Sequence, residues 1–155
     1  MTQRLEHGLF KTVVAHTPLI SIDLIVRNTQ GQVLLGQRLN RPAQDYWFVP
    51  GGRICKDETM ASAFSRLANE ELGLAYSLDE ARCLGPYEHF YQDNFAGTDF
   101  TTHYVVLGYS ITADIALDNL PQEQHDNYRW FDVSELLASD EVHHHTKLYF
   151  MNGHQ

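Results

Sequence analysis

Pro50 to Leu74 reads PGGRICKDETMASAFSRLANEELGL, and it contains a helix marked at both ends. Asp57 is an N-capping residue type, Glu58 falls in the first turn where a carboxylate complements the exposed N–H groups, and Gly73 supplies the stop. At about 100° per residue, Met60, Phe64, Leu67, Ala68 and Leu72 share one apolar arc, with Ser62, Ser65, Arg66 and Asn69 outside it. Glu71 lands inside that arc, between Phe64 and Leu67. A carboxylate there requires a cation or hydrogen-bond donors, because an unpaired buried charge is prohibitive. The alternative is a frayed helix end that lets Glu71 reach water. Glu70 lies one turn from Arg66, where it can pair with it.

A chain of 155 residues predicts a single domain over residues 1–155, large enough for an ordinary core. The formal charge of -9 argues against nonspecific nucleic-acid binding, which needs a basic surface. No segment has the length and apolarity of a membrane span, and the start MTQRLEHG lacks an export pattern. Cys55 and Cys83 make neither a CxxC pair nor metal-ligand spacing, so a reducing cytoplasm is the expected compartment. The coarse order is a strand at 18–27, a turn at 28–32 and a strand at 33–38. An irregular loop to Gly52 and the helix follow. Strands near 81–91 and 100–111, a short strand at 128–131 and short helices at 133–138 and 146–151 complete it. Strands alternating with helices predict an α/β fold.

Gly52, Glu58, Arg66, Glu70, Glu71, Gly73 and Leu74 fall on the spacing of the Nudix signature, which the chain therefore resembles. The resemblance implies an α/β/α sandwich around a mixed β-sheet, with a magnesium–diphosphate site at the helix. It places the Gly51 carbonyl and Glu71 on one hard cation, Mg²⁺ with Mn²⁺ able to substitute, since oxygen donors plus substrate phosphates suit such ions. Arg66 and Glu70 then support the ligands from behind. One position departs from the pattern. Leu67 stands where the signature has a glutamate, which removes one metal ligand.

Four further segments, TPLISID (17–23), NRPAQDYWFVPGGR (40–53), HFYQDNFAGTDFTTHYVVLG (89–108) and EQHDNYRW (123–130), resemble the GDP-mannose mannosyl hydrolase subfamily, which also lacks that glutamate. The subfamily directs water at the sugar C1 rather than at phosphorus, inverts the anomeric centre and releases GDP. The resemblance implies a homodimer acting on GDP-mannose, and on GDP-glucose. It makes His125 the general base and Gln124 a third metal ligand. An imidazole near its usual pKa can take a proton from water at neutral pH; as a lone loop residue it would otherwise simply be solvated. Arg38 and Arg53 are expected on the diphosphate, which guanidinium grips in a fork, and Arg38 is the better placed to stabilise the leaving phosphate. Asp23, His89 and Tyr104 are expected around the nucleotide sugar, with Asp23 on hydroxyls and His89 and Tyr104 on the diphosphate or the sugar.

In the N-terminal arm, Leu5 and Phe10 are expected at the guanine; the bland alternative is that they anchor the arm on the core. His143-His144-His145 reads as a surface feature, because adjacent side chains diverge. Two other functions compete with a GDP-sugar hydrolase. One is an ordinary Nudix pyrophosphatase acting on a nucleoside diphosphate sugar or NTP and cleaving P–O. The other is a sugar-nucleotide-binding module without turnover, which would not need a base.

Overall fold

The structure, a computed structural model, describes residues 4–121 and 125–151, with the backbone alone at 125 and 126. In chain order the elements are α1 (His7–His16), β1 (Leu19–Arg27), β2 (Val33–Arg38), β3 (Trp47–Phe48), β4 (Gly51–Arg53) and α2 (Met60–Leu72). There follow β5 (Arg82–Tyr91), β6 (Thr102–Thr112), β7 (His125–Phe131), α3 (Val133–Ala138) and α4 (His144–Lys147). Short 3₁₀ turns lie at Leu78–Glu80, Leu117–Asn119 and Leu148–Phe150.

β1 reads LISIDLIVR, apolar on both faces, so both faces have to be covered. β6 runs parallel beside it along its whole length, from Leu19 opposite Tyr104 to Arg27 opposite Thr112. On the other edge, β1 pairs antiparallel with β4 through Ser21–Asp23 and with β2 at Arg27. β5 pairs antiparallel with β6, β3 and β7 with β2. The result is a mixed sheet. Alternation along the strands divides the core. Ile22, Leu24, Val26 and Leu34 join Phe64, Leu67 and Leu72 of α2 on one face. Ile25, Val33 and Leu35 join Leu136, Val142, Tyr149 and Phe150 on the other. Helices on both faces make the α/β/α sandwich.

Several local expectations need correction. α2 is capped by Thr59, whose hydroxyl accepts from the Ser62 N–H at 3.0 Å, and not by Asp57. Asp57 instead takes a positive φ of 67°, and Glu58 is turned back before the helix begins, accepting from the Cys55 N–H at 3.0 Å. Met60 is 50% exposed, being too near the helix start to reach the core. Gly73 does end the helix, at φ 69°. The stretch expected to be irregular up to Gly52 contains β3 and β4, two and three residues long and too short to show alternation. β7 begins at His125, three residues before the expected strand. The arm before β1 is the helix α1, opened by the Glu6 carboxylate accepting from the Leu9 N–H.

The cap assignment can be tested directly. Thr59→Ala should cost about 1 kcal/mol in denaturant unfolding, whereas Asp57→Gly should be neutral or slightly stabilising, because glycine suits its positive φ. A larger loss for the Asp57 variant would return the cap to Asp57.

Candidate active site

Antiparallel pairing sets Gly51 opposite Asp23 and Gly52 opposite Ile22. A β-carbon at Gly51 would run into the Ile22 carbonyl and lie 2.6 Å from Asp23 Oδ1; one at Gly52 would lie 2.5 Å from Leu67 Cδ2. Both glycines are therefore required by close approach. β4 fits into the narrow space between β1 and α2, and a cleft of about 410 Å³ opens beside it, within the size range of small-molecule sites. Leu5, Phe10, Arg38, Gly51, Arg53, Arg66, Glu70, Glu71 and Tyr104 all line this cleft. A smaller recess adjoins it through Arg38, Gly51–Arg53 and Tyr104, and adds Asp23, His89 and Tyr91. Eleven of the expected site residues thus meet in one continuous depression, with the buried His89 in its smaller recess. Gln124 lies outside the described residues. His125 is placed by its backbone alone, in register with Arg38 where β2 meets β7.

Arg66 organises the outer wall. Its Nε donates to Glu58 Oε2 at 2.6 Å and its Nη2 to Glu58 Oε1 at 2.9 Å. Nη1 reaches Glu70 at 3.0 Å, and Nη2 also reaches the Arg53 carbonyl at 2.8 Å. The hydrogen bonds from Arg66, ahead of the opposing effect of burial, hold the Glu58 carboxyl below its ordinary value. This fork ties the start of α2, its last turn and the end of β4 together. Glu71 is buried at 4% exposure on the α2 face that carries Phe64 and Leu67. Leu67 is 3% exposed and packs on Gly52, where a carboxylate would have no room for solvent.

The inner recess has a different character. Burial pushes the Asp23 carboxyl up to about 7; a hydrogen bond from Tyr149 and the charge of Arg38 oppose the rise, and Glu71 adds to it. Burial, reinforced by His145 and His143, pushes His89 down to about 3. His89 is therefore a neutral imidazole. It can exchange hydrogen bonds with a ligand but brings no positive charge to a diphosphate. Its Nε2 is buried with no hydrogen-bond partner among the described residues.

The histidine run is not a surface feature. His145 stacks on His89 at 4.3 Å and 6° between planes, and His143 stacks on Phe48 at 4.6 Å. Only His144 of the three is exposed. Parallel rings do not converge on an ion, and among the described residues no group of three His, Cys, Asp or Glu could hold one. At the mouth, Phe10 lies under Arg53 at 5.1 Å and against Phe95 at 4.8 Å.

Two site residues escaped the sequence reading. Tyr149 reaches Asp23, and Tyr128 of β7 donates to the Pro121 carbonyl at 2.6 Å. Burial, then the Glu71 charge, pushes the Tyr128 hydroxyl up to about 12. Tyr128 falls in the matched segment 123–130, and no local pattern marked Tyr149.

Residues 17–151 match the NUDIX domain family. The chain is a Nudix hydrolase. It is similar to a low-salt glycan biosynthesis protein, Agl8, from Haloferax volcanii, 39% identical over 132 residues that cover 84% of this chain and 81% of that protein. An RNA pyrophosphohydrolase of Coxiella burnetii is 26% identical over 73% of this chain, which spans 54% of that protein's length. Among solved structures, a MutT protein of Methanosarcina mazei aligns with a TM-score of 0.66 at 20% identity, covering 87% of this chain and 92% of its own. The NUDIX domain of Shewanella oneidensis NrtR, solved with ADP ribose, aligns at 0.60 and 17%, over 93% and 94%. These two establish the Nudix fold. Among the described residues no helix is long and apolar enough to cross a membrane.

Nudix hydrolases generally use a divalent cation such as Mg²⁺. The donors present fit one. Gly51 and Glu71 bring a carbonyl and a buried carboxylate to the same cleft, both hard oxygen ligands, and Leu67 packs in the apolar core at the position where the signature has a glutamate.

Asp23 yields a stability test. Its carboxyl rises from 3.8 to about 7 on folding, so the native state keeps a proton that the unfolded chain releases. Stability therefore falls as pH rises through that window. In chelator, the unfolding free energy of the wild type should fall relative to Asp23→Asn by a few kcal/mol between about pH 4 and pH 7. Parallel profiles for the two proteins would mean that the carboxyl titrates normally.

Proposed function

We propose that this Nudix protein hydrolyses GDP-mannose, and also GDP-glucose, to GDP and free sugar by water attack at the anomeric carbon with inversion. The observation that carries this reading is the division of the cleft. Arginines, Glu71 and Phe10 line its mouth, and a recess without basic side chains beyond Arg38 and Arg53, offering Asp23, Tyr91, Tyr104 and a neutral His89, adjoins it. A nucleoside diphosphate suits the mouth; a polyhydroxyl sugar, which exchanges hydrogen bonds without charge, suits the recess. The name of the Haloferax relative, a glycan biosynthesis protein, agrees with a sugar-bearing substrate.

In this reading Arg38 and Arg53 hold the diphosphate and Phe10, with Leu5, holds the guanine. Asp23, His89 and Tyr104 receive the sugar. Gly51, Glu71 and Gln124 would hold the cation, which when bound supplies positive charge to the diphosphate. Arg66 and Glu70 fix the position of Glu71. His125 takes a proton as the water oxygen bonds to C1. The bond from C1 to the β-phosphate oxygen breaks with its electron pair going to GDP, and Arg38 stabilises the charge that develops there. Register with Arg38 supports this role for His125, since it brings base and phosphate-binding side chain to neighbouring strands. Attack at carbon needs fewer cations than attack at phosphorus, which agrees with Leu67. A single domain over 1–155, a homodimer and a cytoplasmic setting complete the proposal.

A second reading is P–O cleavage of a nucleoside diphosphate sugar or NTP, favoured by the likeness to an RNA pyrophosphohydrolase. Hydrolysis in heavy-oxygen water separates the two. Label should enter mannose, released first as the β anomer, with GDP unlabelled; label in a phosphate would select the second reading. Glu71→Gln should raise the magnesium requirement and lower kcat more than Glu70→Gln does. His125→Gln should lower kcat by about 10²–10⁴-fold and remove the acidic limb of the pH–rate profile while GDP still binds. Full kcat in that variant would move the base elsewhere.

A further inference from the structure

Tyr149 is completely buried in the 3₁₀ turn at Leu148–Phe150, 126 residues from Asp23 in sequence, yet its hydroxyl donates to Asp23 Oδ2 at 2.6 Å. The ring is held on two sides. Tyr87 packs edge-on at 4.5 Å and 65°. Gly108 of β6 passes so close that a β-carbon there would lie 2.8 Å from Tyr149 Cε1. Burial raises the Tyr149 hydroxyl well above its ordinary value, so it stays protonated and can act as a donor. The other carboxyl oxygen, Oδ1, lies on the Gly51 side, beside the cleft.

We propose that Tyr149 is the positioning residue through which Asp23 recognises the sugar: its hydroxyl occupies Oδ2, fixes the carboxyl's rotamer, and leaves Oδ1 to exchange a hydrogen bond with a hexose hydroxyl. This rests on the nucleotide-sugar reading above. A carboxyl on a strand is free to turn about two torsions, and a short hydrogen bond from a ring that cannot move removes that freedom. The contribution is specific to the sugar, because the guanine and diphosphate are held by other side chains. Gly108 belongs to the same device, since its missing side chain makes room for the ring.

The test begins with the wild type, assayed on GDP-mannose and GDP-glucose, with GDP as inhibitor. Tyr149→Phe keeps the ring and removes only the hydroxyl. It should lower kcat/KM on the sugar nucleotide by about 10–100-fold while the inhibition constant for GDP changes less than about twofold. In an Asp23→Asn background the same substitution should have little further effect, as expected for two groups acting through one contact. Gly108→Ala should reproduce the split from the other side of the ring. Unchanged kcat/KM in Tyr149→Phe, an equal loss of GDP affinity, or additivity with Asp23→Asn would overturn the positioning role. A wild type that turns over neither sugar nucleotide would instead overturn the functional reading, and this inference with it.

Discussion

At Gly51 a β-carbon would meet the Ile22 carbonyl and Asp23 Oδ1, and at Gly52 one would meet Leu67; the cleft depends on this absence of side chains. Only because β4 lies this close to β1 and α2 do Asp23, Arg53 and Glu71 share one space, although they come from a central strand, a three-residue strand and a helix end. Arg66 then holds that arrangement. It bonds Glu58 before the helix, Glu70 at its end and the Arg53 carbonyl in β4, so one side chain ties all three together. A partly buried fork with several charge-assisted hydrogen bonds is worth more than an exposed pair.

The same packing divides the cleft electrostatically. Near Arg66 charges are paired and hydrogen bonded. Further in, burial dominates, and it acts in opposite directions on acids and bases: Asp23 is pushed up and His89 and His143 down, each toward its neutral form. Neutral groups with hydrogen-bonding capacity cost less to bury than ions. A recess of this kind suits uncharged hydroxyls, with Arg38 and Arg53 on the boundary that it shares with the larger cleft.

Sequence periodicity made the outer wall legible. The arc of Phe64, Leu67 and Leu72 foretold the buried face of α2, and the odd position of Glu71 on it foretold a buried carboxylate. β2 and α3 were also readable in full, because apolar runs between turn residues mark their limits. Contacts distant in sequence were not. β3 and β4 are too short for a period, and Tyr149 reaches Asp23 through topology alone. His143 and His145 look solvated in a polar run, but the fold lays them against Phe48 and His89. The Asp57 cap failed for a local reason: Glu58 is drawn back by Arg66 and Cys55, which shifts the helix start to Thr59.

Leu67 connects the packing of α2 to its chemistry. At 3% exposure it is a core residue, and burying such a side chain stabilises the fold by about 1.5–3 kcal/mol. A glutamate in its place would point a second carboxylate at the space shared by Gly52 and Glu71, and without a further cation that charge would be uncompensated. The apolar contact and the reduced ligand set are therefore one choice. The helix gains packing against β4 where a multi-metal site would need charge. In the proposed reaction this exchange costs little, because bond breaking at carbon asks the protein chiefly to hold the diphosphate as it leaves, a task that Arg38 and Arg53 can share.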